Sequence, residues 1–301
     1  MSKFLIIGQG NIGSKRKQIL GDKFIGSVDP LNEKANFKSL SEVDLSSFET
    51  AIISTPNEFK VDYVKELLSK GKNVIVDKPF LIDEKQKADI HKLLLLNEVK
   101  LLTSYNLRFE ESIEFTKEII ESGELGDEIY HSYIDYSNGA AQNIAGSWRE
   151  SSLGVIEDLA CHLIDISRYV LNCQLNITSS IKKKLETDTI DYLSFSCSRN
   201  NISFRASYLV WKNSFSFHIF GNKGAICLDG LSKWGNVVIK KYNRIFPSGK
   251  PEETIKKFSG NDLSWEKEID FFENSFKANE SFLNLDNDMY ISDKINILHN
   301  L

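Results

Sequence analysis

The run Phe4-Leu5-Ile6-Ile7 passes directly into Gly8-Gln9-Gly10-Asn11-Ile12-Gly13, and few local patterns restrict a fold more. A short apolar run closed by glycine reads as a buried parallel strand, and the mixed polar stretch to Leu20-Gly21 reads as a helix with a glycine stop. In such a turn the first glycine permits the tight bend and the second lets the backbone approach a pyrophosphate. The third lets the helix pack close to the strand, which leaves the phosphates at the helix N-terminus. The alternation continues: Phe24–Val28, Ala51–Ser54, Asn73–Val76 and Val99–Leu102 read as strands. Helical spacing follows Asn57, which can cap it, and also Asp83, which forms a capping box with Gln86. This order predicts right-handed crossovers and a parallel sheet covered on both faces, with ligands beyond the carboxyl ends of its strands.

The pattern changes after a helix over Glu111–Glu121 and the turn Gly123-Glu124-Leu125-Gly126. Strand-like runs then follow one another over 129–136, 189–197, 202–210, 215–220, 225–228 and 237–242, many alternating polar with apolar residues. They suggest an antiparallel sheet with one face wet or paired. One helix, Glu157–Leu171, interrupts them; 246–260, with Pro247, Gly249 and Pro251, reads as a loop, and helical spacing returns over 264–276 and 286–298. The expected plan is an α/β Rossmann dinucleotide-binding domain over 1–122 and an α+β domain over 123–301. The second has an open, mainly antiparallel sheet with helices on one face, and its last helix can pack back on the first domain.

Composition narrows the function classes. The 37 basic and 42 acidic residues leave a formal charge of −5, against the basic surplus that nucleic-acid binding requires. Apolar runs such as Leu93–Leu96 are too short to span a membrane, and the strand starting near residue 4 leaves no room for a signal peptide. Cys161, Cys173, Cys197 and Cys227 show no paired spacing, which fits free thiols in a reducing compartment. The expectation is a soluble, cytoplasmic protein.

Several residues carry chemistry. Asp29 ends the second strand, nineteen positions beyond Gly10; a carboxylate there accepts from ribose hydroxyls and repels a 2′-phosphate, favouring NAD over NADP. Lys15 and Arg16 either soften that cofactor preference or, the favoured reading, form a solvated helix face. Ser54-Thr55-Pro56-Asn57 and Asp77-Lys78-Pro79 follow the next strands, so Lys78 brings an ammonium to the mouth of the nucleotide crevice. Asp158, His162 and Asp165 fall at i, i+4 and i+7 on one helix face. A histidine takes a hydroxyl proton as hydride leaves the same carbon, a lysine stabilises the alkoxide, and a carboxylate orients the imidazole or holds a neighbouring hydroxyl. Each also has a plain alternative, a surface lysine or a helix-surface pair. A metal site is not expected, since the ligands are few and lack cysteine.

These motifs resemble the glucose-fructose oxidoreductase/inositol dehydrogenase/MocA family of NAD(P)-dependent oxidoreductases. The likeness includes Gly8–Gly13, Thr55-Pro56-Asn57, Asp77-Lys78-Pro79 where the family has Glu-Lys-Pro, and Tyr105–Phe109. It continues through Gly123–Gly126, Trp148-Arg149, Gly154–Asp165 and Gly221–Gly224. The resemblance implies that Gly8, Gly10, Asn11, Ile12, Gly13, Asp29, Ser54, Thr55, Pro56, Asn57, Asp77 and Lys78 hold NAD. It further implies that Lys78, His162 and Asp158 are catalytic and that Asn106 and Arg149 join them on the substrate. The implied reaction interconverts a secondary alcohol and a ketone on a sugar, cyclitol or sugar nucleotide, in a homodimer or homotetramer built through the second sheet. Three departures stand out: Asp77 for glutamate, Lys60 for the usual histidine, and Ser152-Leu153-Gly154 for a glycine triplet. Arg149, Arg108 and Lys60 either supply positive charge for an anionic substrate or form packing salt bridges. Competing readings are a non-catalytic dinucleotide-binding scaffold and a biliverdin-type reductase.

Overall fold

The apolar runs of the first half become strands because both faces of their sheet are covered. In the computed structural model, which describes residues 2–147, 149–198 and 201–301, they are Phe4–Ile7 (β1), Phe24–Val28 (β2), Thr50–Ile53 (β3), Asn73–Asp77 (β4) and Leu101–Ser104 (β5). All pair in parallel in the order β2-β1-β3-β4-β5. Helices Asn11–Leu20 (α1), Asn57–Ser69 (α2) and Glu84–Asn97 (α3) form the crossovers. Alternate side chains face opposite ways, so Leu5, Ile7, Ile53 and Val76 pack with Val64 and Leu68 of α2 and Ile90 of α3. Phe4, Ile6, Ile52 and Ile75 pack on the other face with Leu20 of α1 and with Ile269, Phe272 and Phe276.

The last three explain a correction. The chain divides into two compact units, Met1–Tyr105 with Trp265–Asp293, and Asn106–Ser264 with Lys294–Leu301. A boundary at 122/123 does not match that division. Glu111–Glu121 (α4) belongs to the second unit, where it packs on Cys161–Leu171 (α5) and buries Ile113 and Ile119. Helix Ser264–Asn274 (α6) and much of Glu280–Asn300 (α7) complete the first.

The second unit carries a mixed eight-stranded sheet of Ile129–Ser137 (β6), Ile177–Lys183 (β7), Tyr192–Cys197 (β8), Ile202–Ser207 (β9), Ser214–Gly221 (β10), Gly224–Asp229 (β11), Val237–Asn243 (β12) and Glu252–Phe258 (β13). Its order is β13-β12-β11-β10-β6-β9-β8-β7, antiparallel except for β6 beside β9. Two strands escape sequence reading. β13 forms an edge and is exposed over all but Phe258, so it shows no buried face, and β7 at the other edge is polar along most of its length. β8 starts at Tyr192 rather than Thr189 because the buried Asp191 carboxylate accepts the backbone N–H groups of Leu185, Glu186 and Thr187, which holds a turn before the strand.

The interrupting helix also differs from a single α-helix. A π-helical segment, Ile156–Ala160, precedes α5, so the i, i+4, i+7 spacing from Asp158 does not describe its face. Gly154 introduces that segment at φ +60°, where an added Cβ would lie 2.1 Å from the Ile190 carbonyl oxygen. Cys161, Cys173 and Cys197 are buried and Cys227 is half-buried, and burial pushes Cys197 up to about 12. No helix among the described residues is long and apolar enough to cross a membrane.

Candidate active site

Parallel pairing aligns the carboxyl ends of the first unit's strands, and the cofactor-binding candidates of that unit lie at or just beyond those ends. Gly8 follows β1 at φ +91°, with an imagined Cβ 2.5 Å from the Ser54 carbonyl oxygen; at Gly13 a Cβ would stand 2.0 Å from the Gly8 carbonyl oxygen. Both positions therefore require glycine for internal packing. Gly10 is different: a Cβ there meets nothing within 4 Å, and it caps α1 without a side-chain hydrogen bond. Its open cradle at a helix N-terminus suits an approaching phosphate.

Asp29 follows β2. Its Oδ2 accepts the Gln9 N–H at 2.8 Å and its Oδ1 those of Leu31 and Asn32 at 2.9 and 3.0 Å. Partial burial opposes ionisation, but these backbone donors outweigh it and hold the carboxyl below its ordinary range. Ser54 Oγ and Thr55 Oγ1 after β3, and Asp77 Oδ2 at the end of β4, are buried without a hydrogen-bond partner. Buried polar atoms are almost always paired, so these hydroxyls and this acceptor at the carboxyl ends of two neighbouring strands fit a polar ligand such as the carboxamide end of a dinucleotide.

Other expectations change. Arg16 is not solvated: it is fully buried, donating to Glu268 at 2.7 Å, Asp77 Oδ1 at 2.9 Å and Ser104 Oγ at 2.5 Å, with Trp265 4.0 Å from its guanidinium carbon. Asn57 does not cap α2; Pro56 holds that position, and Asn57 Oδ1 accepts from Lys60 at 2.8 Å. Lys60, 3% exposed, also donates to the carbonyls of Asp77 and Pro79 at 2.6 and 2.9 Å. It anchors the Asp77-Lys78-Pro79 turn to α2 with hydrogen bonds. Lys78 follows β4 and is half-buried, and its peptide bond to Pro79 is cis.

In the second unit Asp158, His162 and Asp165 are buried. Asp158 Oδ2 accepts from Arg149 Nε at 2.7 Å and from Tyr208 Oη at 3.0 Å. Burial and the Asp158 charge push the Tyr208 phenol up, so it acts as a donor there. Arg108 forks onto both Asp165 oxygens, with Nε to Oδ2 at 2.8 Å. The cations at 108 and 149 are thus salt-bridged, the packing alternative raised by their sequence positions. Asn106 donates to Ser264 at 2.9 Å. Trp148 lies outside the described residues.

Sequence reading missed the neighbours of His162. Tyr136 of β6 lies 5.6 Å from it between ring centroids and 5.7 Å from Trp234, and Lys233 Nζ donates to Tyr136 Oη at 2.5 Å. Glu110 is 2% exposed, with Oε1 unpartnered, and burial raises its carboxyl above the ordinary range despite the nearby Ser232 and Lys233. These residues are far apart in sequence, and no local motif announces them.

Comparison with known proteins agrees with the two-part fold. Residues 2–103 match a family model described as an oxidoreductase family with an NAD-binding Rossmann fold, and residues 113–227 match the GFO/IDH/MocA C-terminal domain. Glucose-6-phosphate 3-dehydrogenase of Bacillus subtilis is 25% identical over 206 residues, covering 62% of this chain and 59% of the relative. The scyllo-inositol 2-dehydrogenase (NADP(+)) of the same organism is 21% identical over 247 residues, covering 74% and 68%. The chain spans 40% to 68% of the length of these and a Schizosaccharomyces pombe relative. The solved UDP-N-acetylglucosamine 3-dehydrogenase of Acidithiobacillus ferrooxidans superposes with TM-score 0.77 at 15% identity, covering 99% of this chain and 97% of the other, a likeness of fold.

Proposed function

This chain belongs to the GFO/IDH/MocA family of oxidoreductases, and we propose that it is an NAD(H)-dependent enzyme interconverting a secondary alcohol and a ketone on a carbohydrate or cyclitol. The observation that carries the proposal is the carboxyl-end side of the parallel sheet, which bears an open Gly10, the Asp29 carboxylate and the unpartnered Ser54, Thr55 and Asp77 atoms. The names of its relatives, dehydrogenases of sugars and inositols, support the substrate class.

Gly8, Gly10 and Gly13 would bring backbone N–H groups of the α1 N-terminus to the pyrophosphate, Asp29 would accept from the adenosine ribose, and residues 54–57 with Asp77 would hold the nicotinamide end. When bound, the nicotinamide supplies the hydride acceptor or donor at its C4. Asp29 places a negative charge where NADP would bring a phosphate, so NAD is the proposed cofactor, although one relative is named for NADP(+).

The chain's own groups then manage the proton and the charge. His162 takes the hydroxyl proton during oxidation and returns it during reduction. The Lys78 ammonium stabilises negative charge growing on the same oxygen. Asp158 is oriented by Arg149 and Tyr208, and it binds a neighbouring hydroxyl. Substitution tests these assignments: Lys78→Ala and His162→Ala should each lower kcat by at least about a hundredfold while NADH binding, read by fluorescence, persists. Turnover near the wild-type rate in both variants refutes the roles.

A further inference from the structure

The chemistry above leaves one cluster of the second unit without a task. Lys233 and Trp234 lie in the short 3-10 turn Ser232–Trp234 that follows β11. Lys233 is exposed and Trp234 half-buried. Lys233 Nζ donates to Tyr136 Oη at 2.5 Å and stands 4.9 and 4.8 Å from the ring centroids of Tyr136 and Trp234. Tyr136 in turn packs its ring 5.6 Å from the imidazole of His162. The imidazole of His162 therefore packs on a tyrosine whose hydroxyl and ring also hold an ammonium, and that ammonium lies over the Trp234 ring as well.

That setting differs from every other cation offered for substrate charge. Arg149 is bound to Asp158, Arg108 to Asp165, and Lys60 to Asn57 and two carbonyls. Glu110, an acidic group near Lys233, is buried and accepts the Ser232 N–H at 3.4 Å. An ammonium has three donors and Tyr136 occupies one. An exposed point charge of this kind suits a phosphoryl group, whereas planar carboxylates favour the guanidinium fork. The accessible indole of Trp234 adds an apolar face for a sugar ring or a base.

We infer that Lys233, supported by Trp234, is a specificity-determining residue that selects a carbohydrate carrying a phosphoryl group, as a sugar monophosphate or a sugar nucleotide. The inference rests on the function proposed above, because His162 marks the reacting end of the substrate. One charge-assisted contact changes affinity by about tenfold to a hundredfold.

The test is calorimetric titration of the whole chain saturated with NAD+, using glucose 6-phosphate, UDP-N-acetylglucosamine, glucose and myo-inositol. At least one phosphorylated ligand should bind about tenfold or more tightly than glucose, and which of the two does so identifies monophosphate or nucleotide. Lys233→Met should remove most of that preference, and Lys233→Arg should restore much of it. Equal binding of glucose and both phosphorylated ligands, or binding of none of the four, overturns the inference. So does an equal loss for neutral and phosphorylated ligands in Lys233→Met, which would make Lys233 only a support for Tyr136. NADH fluorescence on the same samples separates the two failures: absence of NADH binding in the wild type sinks the functional reading, while NADH binding without phosphoryl preference sinks only this one.

Discussion

Replacing Arg16 by methionine should expose how much the first unit depends on one buried ion pair. Arg16 and Glu268 are each 0% exposed, while Asp77, the second acidic partner, keeps 13%. Asp77 can therefore regain water when the guanidinium is removed, and the cost concentrates on Glu268. Breaking a buried pair from one side costs about 3–5 kcal/mol, since an uncompensated charge stays behind. In the wild type, burial already raises the Glu268 carboxyl above its ordinary range, and Arg16 opposes that rise. Without Arg16 it climbs further. A carboxyl raised in the folded state contributes stability that is present below its unfolded value and lost as pH rises through its folded one. The deficit of Arg16→Met should accordingly shrink on acidification, by up to about 2.7 kcal/mol between pH 7.5 and 5.5 at about 1.36 kcal/mol per unit. Urea unfolding of both proteins at the two pH values, followed by circular dichroism, measures it. Arg16→Met/Glu268→Leu should recover most of the loss, because apolar replacements of a buried pair are often neutral. A deficit below about 1 kcal/mol, or one unchanged between the two pH values, would refute the reasoning.

The glycine turn gives a paired test. Gly13→Ala forces a Cβ to within 2.0 Å of a backbone oxygen and should destabilise by at least about 2 kcal/mol. Gly10→Ala meets open space, so it should cost about 1 kcal/mol or less in urea yet lower NADH affinity severalfold; unchanged affinity would sever that position from cofactor binding. Asp29→Ser should raise the ratio of NADPH to NADH affinity, measured by fluorescence titration, by at least about tenfold through loss of the repelling charge. Because backbone donors hold the Asp29 carboxyl low, its contribution to stability is present above the usual carboxylate range and fades only as pH falls through the lowered value. Asp29→Ser should therefore flatten the acid limb of the wild-type stability curve.

Local chemistry made much of this protein legible before any coordinates. β1 to β5 are short runs buried along most of their length, and the Asp83–Gln86 capping box forms as its spacing implies. Gly8 and Gly13 are demanded by contacts inside a single turn and its neighbouring strand. The unread strands, β7 and β13, are sheet edges with little buried surface, so their composition carries no period. The partners of polar groups were equally hidden: Arg16 meets Glu268 across 252 positions, Tyr136 meets Lys233 across 97, and Lys60 reaches the Asp77 turn across 17. Hydrophobic period and turn residues act over a few positions, so the order of residues alone determined the five parallel strands, the glycine turn after the first of them and the candidate acid, base and lysine. Which cation is neutralised, which carboxylate is buried and which ammonium stays exposed depends on how sheets and returning helices stack. Only the tertiary structure decided those pairings, because Coulomb and hydrogen-bond energies follow distance in space rather than distance along the chain.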